Sequence, residues 1–445
     1  MTGNNHGVAV AEVRDFHGLS YRVGERPQDI MGRSRRWMLW LPWLAMAAAS
    51  VLQYGYSVAV IAMQGTSTAA FWVLSLWVMF QAGAAALTAT LRHRSVVAPS
   101  RAMLVGALLC AAGPLSLAHT NSFAIAVLGY SVLCGSGAGI VYATCASTVA
   151  KWYPESRGAR IGVVTGAFGY GAVPFIILFT SALTDANHTA IFTVVGVFVL
   201  AVVALCGLLF RDPPVGWWPA DVDPRLWAVD KRINRGLRSN APAARQYAPG
   251  QAVRTTAFVV MYLIMVFAAA AFLLAVAYAP IIAISNGFSA LVAASAIGLL
   301  AVVSGGGRAV ASHVSDRFGR RQTLTAALLL AGCAQLGLVY SASIHQAAPF
   351  VVFAALSGLA GGAFYPLLAS LVADYFGERN AVRNFGVVYS AKVFGGLLGI
   401  GLPAFVVSSP ALSGAFVAAG VISLCAAVTT RLLHQPGHLL SRLPR

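Results

Sequence analysis

The chain has 445 residues and a formal net charge of +17; 58% of its residues are hydrophobic and only 10% are charged. Soluble domains carry roughly one quarter charged residues, so this balance excludes a soluble enzyme or nucleic-acid-binding module and reads as an integral membrane protein. The positive excess does not mark nucleic acid either, because it is confined to one side of the expected membrane topology.

Residues 1–36 form a polar, arginine-bearing tail without the short apolar core or small-residue cleavage site of a secretory signal. A mobile cytoplasmic segment is expected there. Apolar runs long enough to cross a ~30 Å hydrocarbon core as helices follow at about 37–62, 69–91, 102–118, 123–149, 160–182 and 189–210. After a polar stretch come six more, at about 256–283, 289–312, 322–342, 348–373, 384–407 and 411–432. The expected fold is an all-α polytopic membrane protein of twelve transmembrane helices. Its parts are a tail (1–36), a six-helix bundle (37–210), a cytoplasmic linker (211–254), a second six-helix bundle (255–433) and a C-terminal tail (434–445).

Of the 30 Lys and Arg, all but Arg308, Lys392 and Arg431, the last at the end of the twelfth run beside the C-terminal tail, lie in the tails or in the alternate loops that share their side, at 92–101, 151–160, 211–254, 317–321 and 379–383. The positive-inside rule then places both termini in the cytoplasm, as an even number of spans requires, and the cell's inner membrane is the expected location. The six cysteines, Cys110, Cys134, Cys145, Cys206, Cys333 and Cys425, all fall inside spans without C-x-x-C spacing. They read as buried small apolar residues, and no metal, disulfide or cofactor is expected.

Tyr142–Glu155 aligns with Tyr365–Glu378 at an offset of 223, with six identities in fourteen positions, so span 4 repeats as span 10. Arg160-Ile-Gly162 and Arg383-Asn-Phe-Gly386 mark spans 5 and 11 in the same way. Six helices are duplicated into two like-oriented, pseudo-symmetric halves, an architecture that binds substrate near the midplane between them and exposes it to each side by rocking. The linker carries Asp212-Pro-Pro214, Trp217-Trp-Pro219 and the basic run Lys231–Arg238, expected at the lipid headgroups. Glycines punctuate span 4 (Gly135, Gly137, Gly139), span 5 (Gly162, Gly166, Gly169, Gly171) and span 11 (Gly395, Gly396, Gly399, Gly401), where small residues let helices approach closely.

Two basic residues remain in the interior of spans: Arg308 in span 8 and Lys392 in span 11. Each is nine residues from an arginine at the cytoplasmic end, Arg317 or Arg383, which at ~1.5 Å rise puts both about 13 Å into the membrane. A cation near the bilayer centre costs roughly 3 kcal/mol on insertion scales, so each is a functional residue by default. No Asp, Glu or His is expected in the span interiors to neutralise them. An anionic ligand is the expected counter-ion, with the planar Arg fork and the compact Lys charge clamping a small mono- or dicarboxylate. Tyr142 is at the same depth, its repeat partner Tyr365 is on span 10, Tyr389 is one turn from Lys392, and Tyr170 and Tyr54 lie in spans 5 and 1. Together they suit the wall of a carboxylate cavity.

Ser312-His-Val-Ser-Asp316-Arg317-Phe-Gly319-Arg320-Arg321 resembles the major facilitator superfamily signature G-x-L-A-D-R-x-G-R-R, with Ser312 in place of the first glycine. The first-half copy, Thr90-Leu-Arg-His-Arg94, keeps the basic charge and lacks the Asp and Gly, so no gating salt bridge is expected there. Within that superfamily the chain resembles the oxalate/formate antiporter family. The residues that carry the likeness are Gly139-Ile-Val-Tyr142, Gly158, Gly169-Tyr-Gly171 with Pro174-Phe175, Arg308, and Arg383-Asn-Phe-Gly386 leading to Ala391-Lys392. The resemblance implies that Arg308 and Lys392 bind a dicarboxylate and that Tyr54, Tyr142, Tyr170, Phe364 and Tyr389 cage it, with Asp316, Arg317, Gly319 and Arg320 as the signature loop. Where the family has tryptophans on spans 10 and 11, this chain has Ala360 and Tyr389, implying a larger cavity and room for a larger carboxylate.

The expected function is secondary transport of small carboxylates by exchange, by a monomer. A proton-coupled monocarboxylate symporter and a non-transporting membrane sensor or scaffold stay open. The symporter would use an intramembrane Asp, Glu or His, and the sensor an added domain or long tail. A cation exporter is disfavoured by two uncompensated positive charges, and a membrane enzyme by the absence of a polar catalytic cluster.

Overall fold

The structure is a computed structural model that describes residues 11–437 apart from His17 and Asn121, with Arg235 described by its backbone only. The first ten residues of the N-terminal tail and residues 438–445 of the C-terminal tail lie outside it.

Among the described residues eleven helices are long and apolar enough to cross a membrane: span 2 (Thr68–His93), span 3 (Pro99–His119), span 4 (Phe123–Trp152), span 5 (Pro154–Ala182), span 6 (His188–Leu208), span 7 (Thr256–Ser285), span 8 (Ala290–Phe318), span 9 (Arg320–Ser343), span 10 (Ala347–Phe376), span 11 (Ala381–Val406) and span 12 (Ala411–Leu432). Trp37–Tyr54 and Tyr56–Ala62, bent by 44° at Gly55, make span 1 and complete the expected twelve. Spans 2, 7 and 8 begin at Ser67, Thr255 and Ser289, whose hydroxyls accept from Ala70, Phe258 and Val292 backbone N–H groups left unpaired by the helix. Span 8 stops at Gly319, where φ is +93°, a left-handed conformation that costs a residue with a Cβ and lets span 9 start at once.

The glycines of span 5 set how the two halves meet. A Cβ at Gly162 would lie 3.0 Å from the Arg308 carbonyl and one at Gly166 2.7 Å from the Gly305 carbonyl, while one at Gly169 would run into the Ala301 carbonyl. Spans 5 and 8 therefore touch backbone to backbone, and Arg308 is held at that seam. The glycines of span 4 act within the first half, where Gly137 packs on Cys110 and Gly106, and Gly139 on the Gln81 carbonyl.

Four expectations are corrected. The described part of the N-terminal tail is no free segment: β1 (Ala11–Arg14) pairs antiparallel with β2 (Ser20–Val23), and β3 (Trp217–Trp218) of the linker adds parallel to β2. The two linker tryptophans are buried rather than at the headgroups. Trp217 donates through Nε1 to the Glu25 carbonyl at 3.0 Å, and Tyr21 packs on Trp218 with ring centroids 4.8 Å apart. Cys333 and Cys425 are exposed on the outer faces of spans 9 and 12, unlike the four buried cysteines, since a thiol is apolar enough to face lipid.

In the first-half loop, the fourth case, the linker supplies the missing carboxylate. Asp212 Oδ1 pairs with Arg92 Nη2 at 2.8 Å and Oδ2 with Lys151 Nζ at 2.6 Å, and the Arg92 side chain is only 1% exposed. Burial pushes the Asp212 carboxyl up, yet Arg92 and Lys151 pull it further down, to a net value below the ordinary carboxylate range. Asp212→Asn strands a buried guanidinium, so a loss on the order of 3 kcal/mol is expected, at the low end for a broken buried pair. A group with a lowered folded-state pKa stabilises above its unfolded value near 4 and loses that contribution as pH falls through the folded value. Thermal unfolding in detergent should therefore show the variant less stable at pH 7, with the gap closing on strong acidification.

Candidate functional site

Span 11 turns at Ser390 and Ala391, between a helical segment ending at Tyr389 and one beginning at Lys392. That break aims Lys392 at the seam between halves. The lysine is 3% exposed, and its ammonium donates to Gln81 Oε1 at 3.0 Å and Gln53 Oε1 at 3.4 Å, both from the first half. Arg308, also 3% exposed, donates through Nη1 to the Thr165 carbonyl at 2.6 Å. Both cations of the second half are thus held by neutral acceptors of the first, and among the described residues neither makes an ion pair.

The two converge on Tyr365. The Arg308 Cζ atom lies 5.4 Å and the Lys392 Nζ atom 5.9 Å from the centre of its ring, and Nζ is 5.8 Å from the Tyr389 ring. Arg308 Nε and the Tyr365 hydroxyl are buried without a hydrogen-bond partner among the described residues. Buried donors are normally paired, so these two mark a place shaped for an acceptor that is not part of the chain.

Tyr142 and Tyr389, one from each half, stack with centroids 5.2 Å apart and planes 21° apart. They form the inner wall of a cavity of about 480 Å³ that runs between the halves toward the side carrying the described ends of the chain. Leu19 and Tyr21 of the hairpin and Trp227 and Leu237 of the linker line its mouth. Arg308, Lys392 and Tyr365 do not line it, since the stacked pair lies between. On the opposite side the halves touch, with Ser57 Oγ donating to the Val276 carbonyl at 3.2 Å and Thr68 Oγ1 to the Ala404 carbonyl at 3.0 Å.

The remaining expected site residues divide. Tyr54 is fully buried, its hydroxyl 3.3 Å from Ser304 Oγ and its ring against Phe168 and Phe272. Tyr170 is half-buried and packs over Gly305 and Gly306 at the seam, away from the stacked rings. Phe364 stands behind Tyr365, with ring centroids 4.3 Å apart, and faces a void of about 10 Å³ inside the second half, lined by Ala360 and Gln335 among others. The neighbour on span 10 that faces the cations is Tyr365. Gln53, Gln81, Thr165 and Ser304 were not anticipated; the signal available for the glutamines was an uncharged polar side chain inside an apolar run.

Ala360 therefore lies within one bundle and not on the cavity between halves. Tryptophan there overfills a closed space, so Ala360→Trp is expected to cost roughly 3 kcal/mol of stability and to lower the melting temperature in detergent without changing the preference between small and large substrates.

In the signature loop, Arg320 pairs with Asp374 at 2.5 Å and Asp316 at 3.5 Å, tying together the ends of spans 8, 9 and 10. The Arg317 carbonyl accepts from Ser239 Oγ of the linker at 2.7 Å. Arg157 and Glu378, 3.4 Å apart, bridge the halves at the same end.

The oxalate:formate antiporter of Oxalobacter formigenes is 25% identical over 312 residues, 70% of each chain. A riboflavin transporter of Saccharomyces cerevisiae is 25% identical over 317 residues, 69% of this chain and 58% of that one. Among solved structures, a D-xylose-proton symporter superposes with a TM-score of 0.65 at 15% identity, covering 88% of this chain and 95% of that one, which shows the shared fold. The family model described as Major Facilitator Superfamily matches residues 36–349. With twelve helices in two halves around a polar centre, the chain belongs to the Major Facilitator Superfamily and is a membrane transporter rather than an enzyme.

Proposed function

We propose that this transporter carries small carboxylate anions, oxalate- or formate-like mono- or dicarboxylates, by exchange across the cell's inner membrane, as a monomer with both termini and the linker in the cytoplasm. The observation that carries the reading is the pair of buried cations beside one tyrosine ring, with Arg308 Nε and the Tyr365 hydroxyl unpartnered. Two unit charges within about 11 Å repel by at least about 1.5 kcal/mol at an effective dielectric constant near 20. A carboxylate between them turns that repulsion into two attractions. One carboxylate oxygen pair matches the guanidinium fork and a second carboxylate, or the other face of the first, meets the ammonium.

The aromatic rings suit the rest of such a ligand. Tyr365 and Tyr389 border the cations, Tyr142 stacks on Tyr389, and Tyr54 closes the side toward span 8. Phe364 lies against Tyr365 and Tyr170 covers Gly305 and Gly306 of span 8 near Arg308, and Asp316, Arg317, Gly319 and Arg320 fix the helix ends that move with the second half. The likeness to the Oxalobacter antiporter supports the substrate class. Uptake into proteoliposomes loaded with unlabelled carboxylate, from a panel of labelled mono- and dicarboxylates, is expected to show at least one saturable substrate. Uptake of neutral solutes with no carboxylate carried would overturn the reading.

A further inference from the structure

Gln81 uses both ends of its amide at once. Its Oε1 accepts from the Lys392 ammonium at 3.0 Å, and its Nε2 donates to the Tyr389 hydroxyl at 3.2 Å. Lys392 and Tyr389 belong to the second half, one turn apart on span 11; Gln81 belongs to span 2 of the first half and is 1% exposed. The Gly139 backbone packs directly on the Gln81 carbonyl, so the glutamine is pinned to span 4, the same helix that carries Tyr142. Tyr389 is the second-half member of the stacked pair that separates the cations from the cavity.

We propose that Gln81 is a positioning residue that couples occupancy of Lys392 to that aromatic barrier. In the empty carrier the amide holds both the ammonium and the Tyr389 hydroxyl. A carboxylate makes a charge-assisted bond roughly twice as strong as a neutral one, so it takes the ammonium from the amide. The amide oxygen then lacks its buried partner, which is costly, and the side chain must re-pair, releasing the Tyr389 hydroxyl and loosening the stack between halves. The amide thus competes with the substrate for Lys392 and reports the outcome of that competition to the barrier.

This inference rests on the anion-carrier reading, and its test separates the two. The first arm needs no substrate: melting temperatures at pH 7.5 for the wild type, Gln81→Glu, Lys392→Gln and the double variant. A carboxylate at position 81 facing the ammonium should raise the melting temperature by several degrees when Lys392 is present and lower it when Lys392 is replaced. The same change in both backgrounds would overturn the pairing. In the second arm, Gln81→Leu removes the competing acceptor and the link to Tyr389 together. Oxalate, titrated by thermal shift, should bind three- to tenfold more tightly, while oxalate exchange in proteoliposomes slows at least tenfold. Weaker binding alongside slower exchange, as general structural damage would give, or no change in either, would overturn the hand-over. Failure of the wild type to bind any carboxylate of the panel would overturn the anion-carrier reading and the hand-over with it, leaving the thermal cycle to decide what Gln81 holds.

Discussion

Replacing Lys392 or Arg308 by glutamine should abolish carboxylate exchange, by at least a hundredfold in rate, while the protein still inserts, purifies as a single species and melts at or above the wild-type temperature. The two outcomes have one cause. Among the described residues each side chain is a buried cation held only by neutral acceptors, Gln81 and Gln53 for the lysine and the Thr165 carbonyl for the arginine. An ammonium or guanidinium kept from water without a counter-charge is a cost to the fold, so neutral glutamine relieves it. For the bound anion the balance is reversed. A charge-assisted hydrogen bond contributes about 1.5–3 kcal/mol, and at about 1.4 kcal/mol per decade losing one, together with the long-range attraction, gives two decades or more. Exchange rates and melting curves on the same preparations check both halves of the statement. Wild-type exchange in either variant would remove that residue from the clamp, and a collapsed melting temperature would reassign it to the fold.

The twelve spans were legible because apolar length alone decides them, and the two cations because a single charge in an apolar run has no bland surroundings to disappear into. Their depth could be counted from the arginines at the helix ends. The orientation of their neighbours could not. Adjacent residues on a helix point about 100° apart, so choosing between Phe364 and Tyr365 requires the rotation of span 10 about its own axis, which glycine contacts such as Gly358 and Gly362 against span 8 set. The repeat did contain the answer, since Tyr365 is the partner of Tyr142.

The neutral groups that hold the cations were hidden for a different reason. Gln53 and Gln81 lie some three hundred residues from Lys392, and no local pattern connects them. Asp212 illustrates the same limit: its charge replaces the aspartate missing from the first-half loop, but from a position outside the motif. The hairpin of the tail depends on Trp217 and Trp218, which only the fold brings beside it.

Labelled carboxylate trapped inside vesicles should leave at least tenfold faster when unlabelled carboxylate is present outside than when it is absent, at one fixed pH. The reason lies in the empty site. With no anion bound, Arg308 and Lys392 face the same ring, and the bonds from both to first-half acceptors tie the halves together at their centre. Reorienting the empty carrier means breaking those bonds and moving two like charges through the low-dielectric middle of the membrane without a partner, where each costs several kcal/mol. A bound dicarboxylate cancels the charge and replaces the inter-half bonds, so the loaded carrier crosses the same barrier at a lower height. Because the substrate stabilises the reorienting form more than the resting one, return without cargo becomes the slow step and exchange is enforced. A carboxylate in the site lining could instead have let a proton stand in for the missing cargo. Gln81 and Gln53 occupy the positions beside Lys392 where such a group would act, and an amide does not take up a proton near neutral pH. Equal efflux with and without external carboxylate, or uptake into empty vesicles driven by an imposed pH gradient, would show that the unloaded carrier returns freely and that the two cations do not enforce exchange.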